Sequence, residues 1–375
     1  MKLSPYSYLA EESLFRIGFG TSKFGSFNNS NRRKVQSRLN LIPELTNIGK
    51  IIIDTAPLYG GGFVEDTLGK FIPPFRDKLF VCTKYYPRDS DTSLDLINSV
   101  DASLKRLRIT EIDLLQLHYP NPLANLGKIL LGLVILRSSG KIKNFGISNY
   151  SAEESKEFMQ LHKQFPIISN QVEINLTNNI SIDQFFFPNA PKVLSYGNLM
   201  QGRLALKKTH HQLIENLANK YKLTKAGIIM LLILYRHQEL FSIIKISNKL
   251  HLEEILQIFQ TDFDKSELDN LMFSINEHTE VEYLDPRLIT LIGDGTRAPY
   301  LTESDARMNK LGLIPSPLSL SLRIARSKLI LPITVKQIGE KSYIIDSNDP
   351  FDQVKKYWAW RFAYPRDKIP VFIVD

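Results

Sequence analysis

Short apolar runs, several of them closed by a single polar or ionisable residue, recur along this chain with amphipathic stretches between them. Residues 16–20, 51–54, 79–84, 112–118, 144–148, 167–174, 193–196 and 242–247 read as eight strands buried on both faces, because they are compact, β-branched or leucine-rich and largely lack polar alternation. Between them the spacing turns helical. Leu94, Ile97, Val100, Leu104 and Leu107 share a face over 93–107, and Ser151 with Glu154 three residues later is a capping box opening a helix that carries Phe158 and Leu161. Helices over 212–221 and 224–237 precede the last strand, and 250–259 and 265–276 follow it. Eight alternations of strand and helix predict an α/β fold, a (β/α)8 TIM barrel spanning residues 1–278.

From about Val281 prolines accumulate and the alternation stops. Strands over 332–337 and 342–345 flank the turn Ile338-Gly339-Glu340-Lys341, a helix follows over 351–362, and 370–374 reads as a last strand, which predicts a small α+β domain over 279–375. That order faintly resembles the sulfiredoxin-like fold of partition-protein nucleases. Where that family carries Asp-Gly-x-His-Arg after its second strand, this chain has Asp346-Ser347-Asn348-Asp349-Pro350, without the His and Arg of its phosphate chemistry.

Three of the barrel runs end on Asp54, Lys84 and His118. The C-terminal ends of the strands form the active face of such a barrel, so these groups converge. Tyr59 joins them from Asp54-Thr55-Ala56-Pro57-Leu58-Tyr59-Gly60-Gly61-Gly62, a loop whose proline and glycines turn it back over the mouth. A phenol, an ammonium, a carboxylate and an imidazole together suit proton transfer to a bound substrate. In this reading Tyr59 is the general acid, Lys84 the cation that lowers its pKa, and Asp54 the partner that keeps a buried ammonium charged. Singly, a loop tyrosine is more often a packed aromatic and a strand-end histidine a satisfied core residue. Four such groups on one barrel face reverse that balance.

The same residues carry a family resemblance. Asp-Thr-Ala-x-x-Tyr-Gly at 54–60, Lys84, His118 in Leu117-His118-Tyr119-Pro120, Gly140-Lys141-Ile142-Lys143-Asn144-Phe145-Gly146-Ile147-Ser148-Asn149 and Asn170-Gln171-Val172-Glu173 stand in the order and spacing of the aldo-keto reductases, which the first three quarters of the chain resembles. The resemblance implies an NAD(P)H-dependent reduction of an aldehyde, ketone or sugar carbonyl, with His118 orienting the carbonyl oxygen; sharing the proton relay is the other role open to that imidazole. It also implies that Ser148, Asn149 and Gln171 hold the nicotinamide carboxamide and that Tyr196 stacks on the nicotinamide. Gly197, Asn198, Leu199, Gly202 and Arg203 would approach the pyrophosphate, with Gly20, Thr21, Ser22 and Asp54 in the same cleft. At the adenosine end the candidates are Lys245, Ser247, Asn248 and Lys249 for a 2′-phosphate, with His251 and Glu254, though the run departs from the family's usual one: His251 stands where an arginine is expected, and Ile255 where the adenine-binding asparagine is. The family favours NADP(H), and this departure leaves NAD(H) open.

Composition bounds these readings. The 375 residues, 43% hydrophobic and 23% charged, suffice for a barrel of roughly 250 residues and something smaller. The +8 charge, 47 basic against 39 acidic residues, forms no Lys/Arg block, so the expected partner is a small carbonyl substrate and no nucleic acid. Cys82 is the one cysteine, which excludes an intrachain disulfide and reads as a small core hydrophobe. No run reaches the roughly 18 apolar residues of a membrane span, and a cytoplasmic, reducing setting is expected. Phe24, Tyr85, Tyr86 and Tyr119 flank the catalytic positions as candidate pocket walls. Oligomeric state is open. The alternative reading is a cofactor-binding regulatory or interaction subunit that docks through 279–375, against which the complete set of proton-handling groups weighs, since binding alone needs no proton donor.

Overall fold

The computed structural model describes residues 1–22, 24, 35–176, 183–199, 206, 208–276, 282–291, 303–309, 315–327, 333–339, 342–345, 350–365 and 367–374. Two short strands, β1 (Tyr6–Leu9) and β2 (Glu12–Phe15), pair antiparallel at the start of the chain. Eight parallel strands follow: β3 (Ile17–Gly20), β4 (Ile51–Asp54), β5 (Leu79–Tyr85), β6 (Ile112–Leu117), β7 (Ile142–Ser148), β8 (Ser169–Glu173), β9 (Lys192–Tyr196) and β10 (Phe241–Ile244). They close in the order β10-β3-β4-β5-β6-β7-β8-β9, which is the expected TIM barrel.

Inward-facing side chains fill the barrel rather than leaving a pore. Ile52, Phe80, Cys82, Leu114, Leu194, Phe241 and Ile243 pack there with Leu9 and Leu14 of the β1–β2 hairpin. Cys82 is free and buried, as its place in an apolar run implies. At Gly18 an added Cβ would come within 2.5 Å of Ile243 Cδ1 and 3.1 Å of Ile52 Cβ, so a side chain there would force Ile243 to move where β3 packs on β10. Arg16, just before β3, is fully buried and donates to the carbonyls of Ser4, Leu234, His237 and Leu240 at 2.7 to 3.3 Å. It ties the N-terminal segment to the helix Lys225–Arg236 and the approach to β10 through backbone acceptors alone.

The outer helices bury one face each. Ser93–Leu107 opens with a Thr92/Asp95 capping box and buries Leu96, Val100, Leu104 and Leu107. Leu94, expected on that face, is instead 62% exposed in the first turn. The expected box at Ser151 and Glu154 caps Ala152–Leu161. Among the described residues no helix is long and apolar enough to cross a membrane.

Contacts divide the chain into a unit of Met1–Pro120, Ala124–Leu199 and Ile214–Leu268 and a second unit built mainly from Asp269–Asp375. In the second, β11 (Glu282–Leu284), β12 (Ile289–Thr290), β13 (Ile333–Gly339), β14 (Ser342–Ile345) and β15 (Ile369–Val374) form one sheet in the order β11-β15-β13-β14-β12. β13 and β14 make the expected antiparallel pair, and β15 lies parallel to β13. The helix Pro350–Ala363 buries Val354, Tyr357 and Trp360 in a core with Ile333, Val335, Ile369 and Val371. The helix Pro317–Ser327 has no counterpart in the sequence reading, because its alternating leucines and serines carry a period of two. Asp346–Asp349, where the nuclease motif would stand, lie outside the described residues.

Candidate active site

β4, β5 and β6 bring their polar ends to one point. In register, Asp54 lies opposite Cys82 and Lys84 opposite Gln116, so the ammonium stands one pleat beyond the apolar barrel core. Lys84 Nζ donates to Asp54 Oδ1 at 2.6 Å and to the Thr55 carbonyl at 3.0 Å, and Gln171 Nε2 donates to the same Asp54 oxygen at 2.9 Å. Both ions are almost wholly buried. Burial pulls the Lys84 ammonium down, but the Asp54 charge, then Tyr59, hold it above its ordinary value, so it stays charged.

Tyr59 opens a helical turn after Pro57-Leu58 and is followed by Gly60, Gly61 and Gly62 at φ of 61, 62 and 90°, a left-handed run that only glycines adopt without strain. That turn directs the ring back into the mouth, where Lys84 Nζ lies 5.2 Å from its centroid. Tyr59 is half-buried. Burial pushes the phenol up to about 12, outweighing the downward pull of Lys84. The expectation that Lys84 sets a lowered Tyr59 pKa is corrected here: the cation is in place, but desolvation is the stronger influence on the free phenol.

His118 follows β6 directly and its backbone N–H donates to the Tyr85 carbonyl at 2.8 Å. Its ring meets Tyr59 edge-on at 5.9 Å and stacks on Tyr119 at 5.0 Å and 21°, and Tyr119 in turn meets Tyr86 edge-on at 6.4 Å. Burial first, then the Lys84 charge, hold the imidazole well below its ordinary range, so it is neutral at pH 7. The stack on Tyr119 and the Thr55 carbonyl were not singled out from the sequence. The first could have been read from the His118-Tyr119 pair, and the second has no signal. Phe24 packs edge-on against Phe19. Tyr85 turns outward into the shell between sheet and helices.

The residues expected to hold the nicotinamide end are gathered together. Ser148 Oγ donates to the Gln171 carbonyl at 2.9 Å, Asn149 Nδ2 to Ser148 Oγ at 3.1 Å, and the Tyr196 hydroxyl to Asn149 Oδ1 at 2.6 Å. Thr21 donates through both N–H and Oγ1 to the Asp54 carbonyl, fastening the end of β3 to β4, while Ser22 is exposed. An added Cβ on Gly20 would press to 3.0 Å on Ile243 Cγ2. Gly197 has φ of 69°, and a Cβ there would meet Glu173 Cγ at 2.9 Å. Asn198 is buried, donating to the Ile174 carbonyl and Ser195 Oγ at 2.8 and 3.0 Å, which anchors the start of the loop. Leu199 is half-buried, and Gly202 and Arg203 lie outside the described residues.

The adenosine-end candidates are more dispersed. Asn248 caps the helix Lys249–Gln260 by accepting the His251 N–H at 2.9 Å, and Lys249 stands 3.8 Å from Glu44. Ser247 is half-buried, and Lys245 and His251 are exposed. Glu254 is turned to the Thr224 hydroxyl at the start of Lys225–Arg236, a second helix end. Asn248 and Glu254 are thus engaged as helix-end partners.

The sequence profile of the Aldo/keto reductase family matches residues 16–273. Methylglyoxal reductase YeaE of Escherichia coli K12 is 26% identical over 273 residues, 72% of this chain and 93% of that protein. Aldo-keto reductase YhdN of Bacillus subtilis is 30% identical over 220 residues, 53% of this chain and 63% of the relative. Among solved structures, the thermostable aldo-keto reductase Tm1743 in complex with the inhibitor epalrestat has a TM-score of 0.64 at 26% identity, covering 72% of this chain and 99% of that chain. An aldo-keto reductase from Klebsiella pneumoniae in complex with NADPH has the same fold, with a TM-score of 0.62 at 24% identity over 73% of this chain and 96% of that one. With the barrel closed and the matched span running through every strand of it, the chain belongs to the aldo/keto reductase family.

Proposed function

We propose that this chain reduces the carbonyl of a small aldehyde, ketone or sugar to an alcohol at the expense of NADPH, with Tyr59 as the general acid. One observation carries the reading: the Tyr59 phenol, the buried Lys84–Asp54 ion pair and the neutral His118 ring meet at the C-terminal end of the barrel. Family membership and the similarity to methylglyoxal reductase YeaE support it.

The nicotinamide cofactor, when bound, supplies the hydride. The donor set at the ends of β7, β8 and β9 fits it: the Ser148 hydroxyl and the Asn149 and Gln171 amides offer the mixed donors and acceptors a carboxamide needs, and the half-buried Tyr196 ring offers a flat face. The other tasks fall to this chain's own groups. His118, uncharged, offers an N–H to the carbonyl oxygen. The Tyr59 hydroxyl gives that oxygen its proton as negative charge develops. Lys84, kept charged by Asp54, stabilises the phenolate left behind. Tyr119 and Tyr86, ring against ring beside His118, favour a carbonyl borne on an apolar or flat group.

Tyr59→Phe removes only the acid. Turnover should fall by about 10²- to 10⁴-fold, the range typical of a lost general acid, with NADPH affinity little changed. NADPH oxidation against a panel of aldehydes, ketones and sugars, with cofactor binding followed by fluorescence, reads both quantities. Wild-type turnover in the variant would remove Tyr59 from the mechanism.

A further inference from the structure

A chain of hydrogen bonds crosses the barrel mouth from the hydroxyl of the ring assigned to the nicotinamide to the backbone of His118, whose imidazole is assigned to the carbonyl. The Tyr196 hydroxyl at the end of β9 donates to Asn149 Oδ1 at 2.6 Å. Asn149, just past β7, donates through Nδ2 to the His118 carbonyl at 2.8 Å. His118 donates its own backbone N–H to the Tyr85 carbonyl at the end of β5 at 2.8 Å. Asn149 has φ of 64°, a left-handed conformation that asparagine tolerates better than most residues, and this conformation accompanies an amide bridging two strand ends.

An amide can make this bridge in one orientation only. Its oxygen must face a donor and its nitrogen an acceptor. The His118 carbonyl accepts and cannot donate, so Nδ2 must face it and Oδ1 must face Tyr196. The His118 carbonyl therefore fixes which way the Asn149 amide lies, and the Tyr196 hydroxyl, donating to Oδ1, holds it there. Without the hydroxyl Oδ1 loses a 2.6 Å donor, and the amide is held less firmly against the His118 carbonyl and Ser148 Oγ. The imidazole Nδ1 is buried with no hydrogen-bond partner among the described residues, and the ring packs on Tyr119 and against the edge of Tyr59.

We infer that the Tyr196 hydroxyl, as distinct from its ring, is a positioning group that acts through Asn149 to hold His118 where the substrate carbonyl needs it. This rests on the proposed reduction for its kinetic consequence, though not for its structural one. The ring would serve the cofactor and the hydroxyl the substrate, so one side chain would couple the two halves of the site.

Tyr196→Phe separates the two roles because it keeps the ring. Negative charge develops on the carbonyl oxygen in the transition state, so a displaced His118 should lower kcat more than it raises KM. The loss of one neutral hydrogen bond sets the expected fall at about five- to tenfold, with NADPH affinity within about twofold of wild type. In a His118→Gln background the same substitution should cost almost nothing, because the group it positions is gone; full additivity would overturn the inference. A cofactor affinity falling in step with kcat would also overturn it, by assigning the hydroxyl to the cofactor. Should the wild-type chain reduce nothing in the panel, the proposed activity fails while the tether is still read directly: the His118 ring resonances move in Tyr196→Phe if it exists and stay in place if it does not. Asn149→Gly, which retains the left-handed backbone, should reproduce the resonance shift.

Discussion

The phenol of Tyr59 sits between opposed influences: burial favours its protonated form, and the ammonium of Lys84 favours the phenolate. Burial prevails in the free site and pushes the phenol up to about 12, so the acid holds its proton through neutral and mildly alkaline pH. His118 is displaced the other way, its imidazole held well below the ordinary range, and so stays neutral over the same interval. Neither group changes charge near neutrality. With protonated phenol and neutral imidazole as the working forms, kcat for reduction should run level from about pH 6 to about pH 9 and fall only at more alkaline pH as the phenol ionises. A pH profile of kcat under saturating cofactor and substrate checks this. A break near pH 7 belonging to the enzyme would mean that the bound site differs from the free one by several pKa units. Lys84 then matters mainly after proton transfer, when the phenolate exists and the ion pair with Asp54 keeps a cation beside it.

Between β5 and the helix Ser93–Leu107, a rim loop is held by two aspartates in succession. Asp91 Oδ2 accepts from the Tyr85 hydroxyl at 2.5 Å and from the Arg88 N–H at 2.8 Å, and Asp95 closes the capping box with Thr92. The same loop carries Tyr86, whose ring meets Tyr119 beside His118. Asp91→Ala leaves the buried Tyr85 hydroxyl without its acceptor. It should cost about 1 to 3 kcal/mol in stability by urea unfolding and raise KM for the carbonyl, with Asp91→Asn intermediate. Unchanged stability would show that the loop is held by other contacts. The Asp91 latch was invisible in the sequence because it joins residues six apart across a loop with no period. The eight barrel strands were legible because a parallel strand buried on both faces is a nearly continuous apolar run, and Asp54, Lys84 and His118 because each interrupts such a run at its end. β1 and β2 were not: each is four residues long and mixed in character, and only Leu9 and Leu14 reveal that they fill the barrel. Arg16 was legible as a residue but not as a buried one, since its acceptors are carbonyls that any sequence supplies. At the adenosine end, a polar residue opening a helix reads alike whether it meets a phosphate or caps the helix, as Asn248 does.

At the scale of the whole chain, the excess of 47 basic over 39 acidic residues means that acid adds to a charge already positive, but the sharper sensitivity comes from imidazoles buried uncharged. His237, just after the helix Lys225–Arg236, stacks on Phe186 at 3.8 Å and 6°. Burial lowers its pKa to about 4, opposed by the Asp183 carboxylate 3.1 Å from Nε2 and aided by Arg236, whose own Nη2 lies 2.8 Å from Asp183. Its carbonyl also accepts from Arg16, so the backbone around this ring is fastened to the start of the barrel. His118 is depressed in the same sense. For both, the unfolded chain, with an imidazole near 6.5, binds protons that the folded one refuses. Folding stability is therefore highest above about pH 6.5 and falls as the pH drops below it. The His237 contribution levels off once the pH passes below about 4, where the folded ring is protonated too. One full proton corresponds to about 1.4 kcal/mol per pH unit, and partial exposure at His237 keeps its share below that. His237→Gln should flatten the loss of unfolding free energy between pH 6.5 and pH 4.5, measured by urea titration at each pH, while leaving the His118 share in place. Identical slopes in wild type and variant would mean that His237 takes up its proton with the barrel still folded, at a pKa near that of the free imidazole.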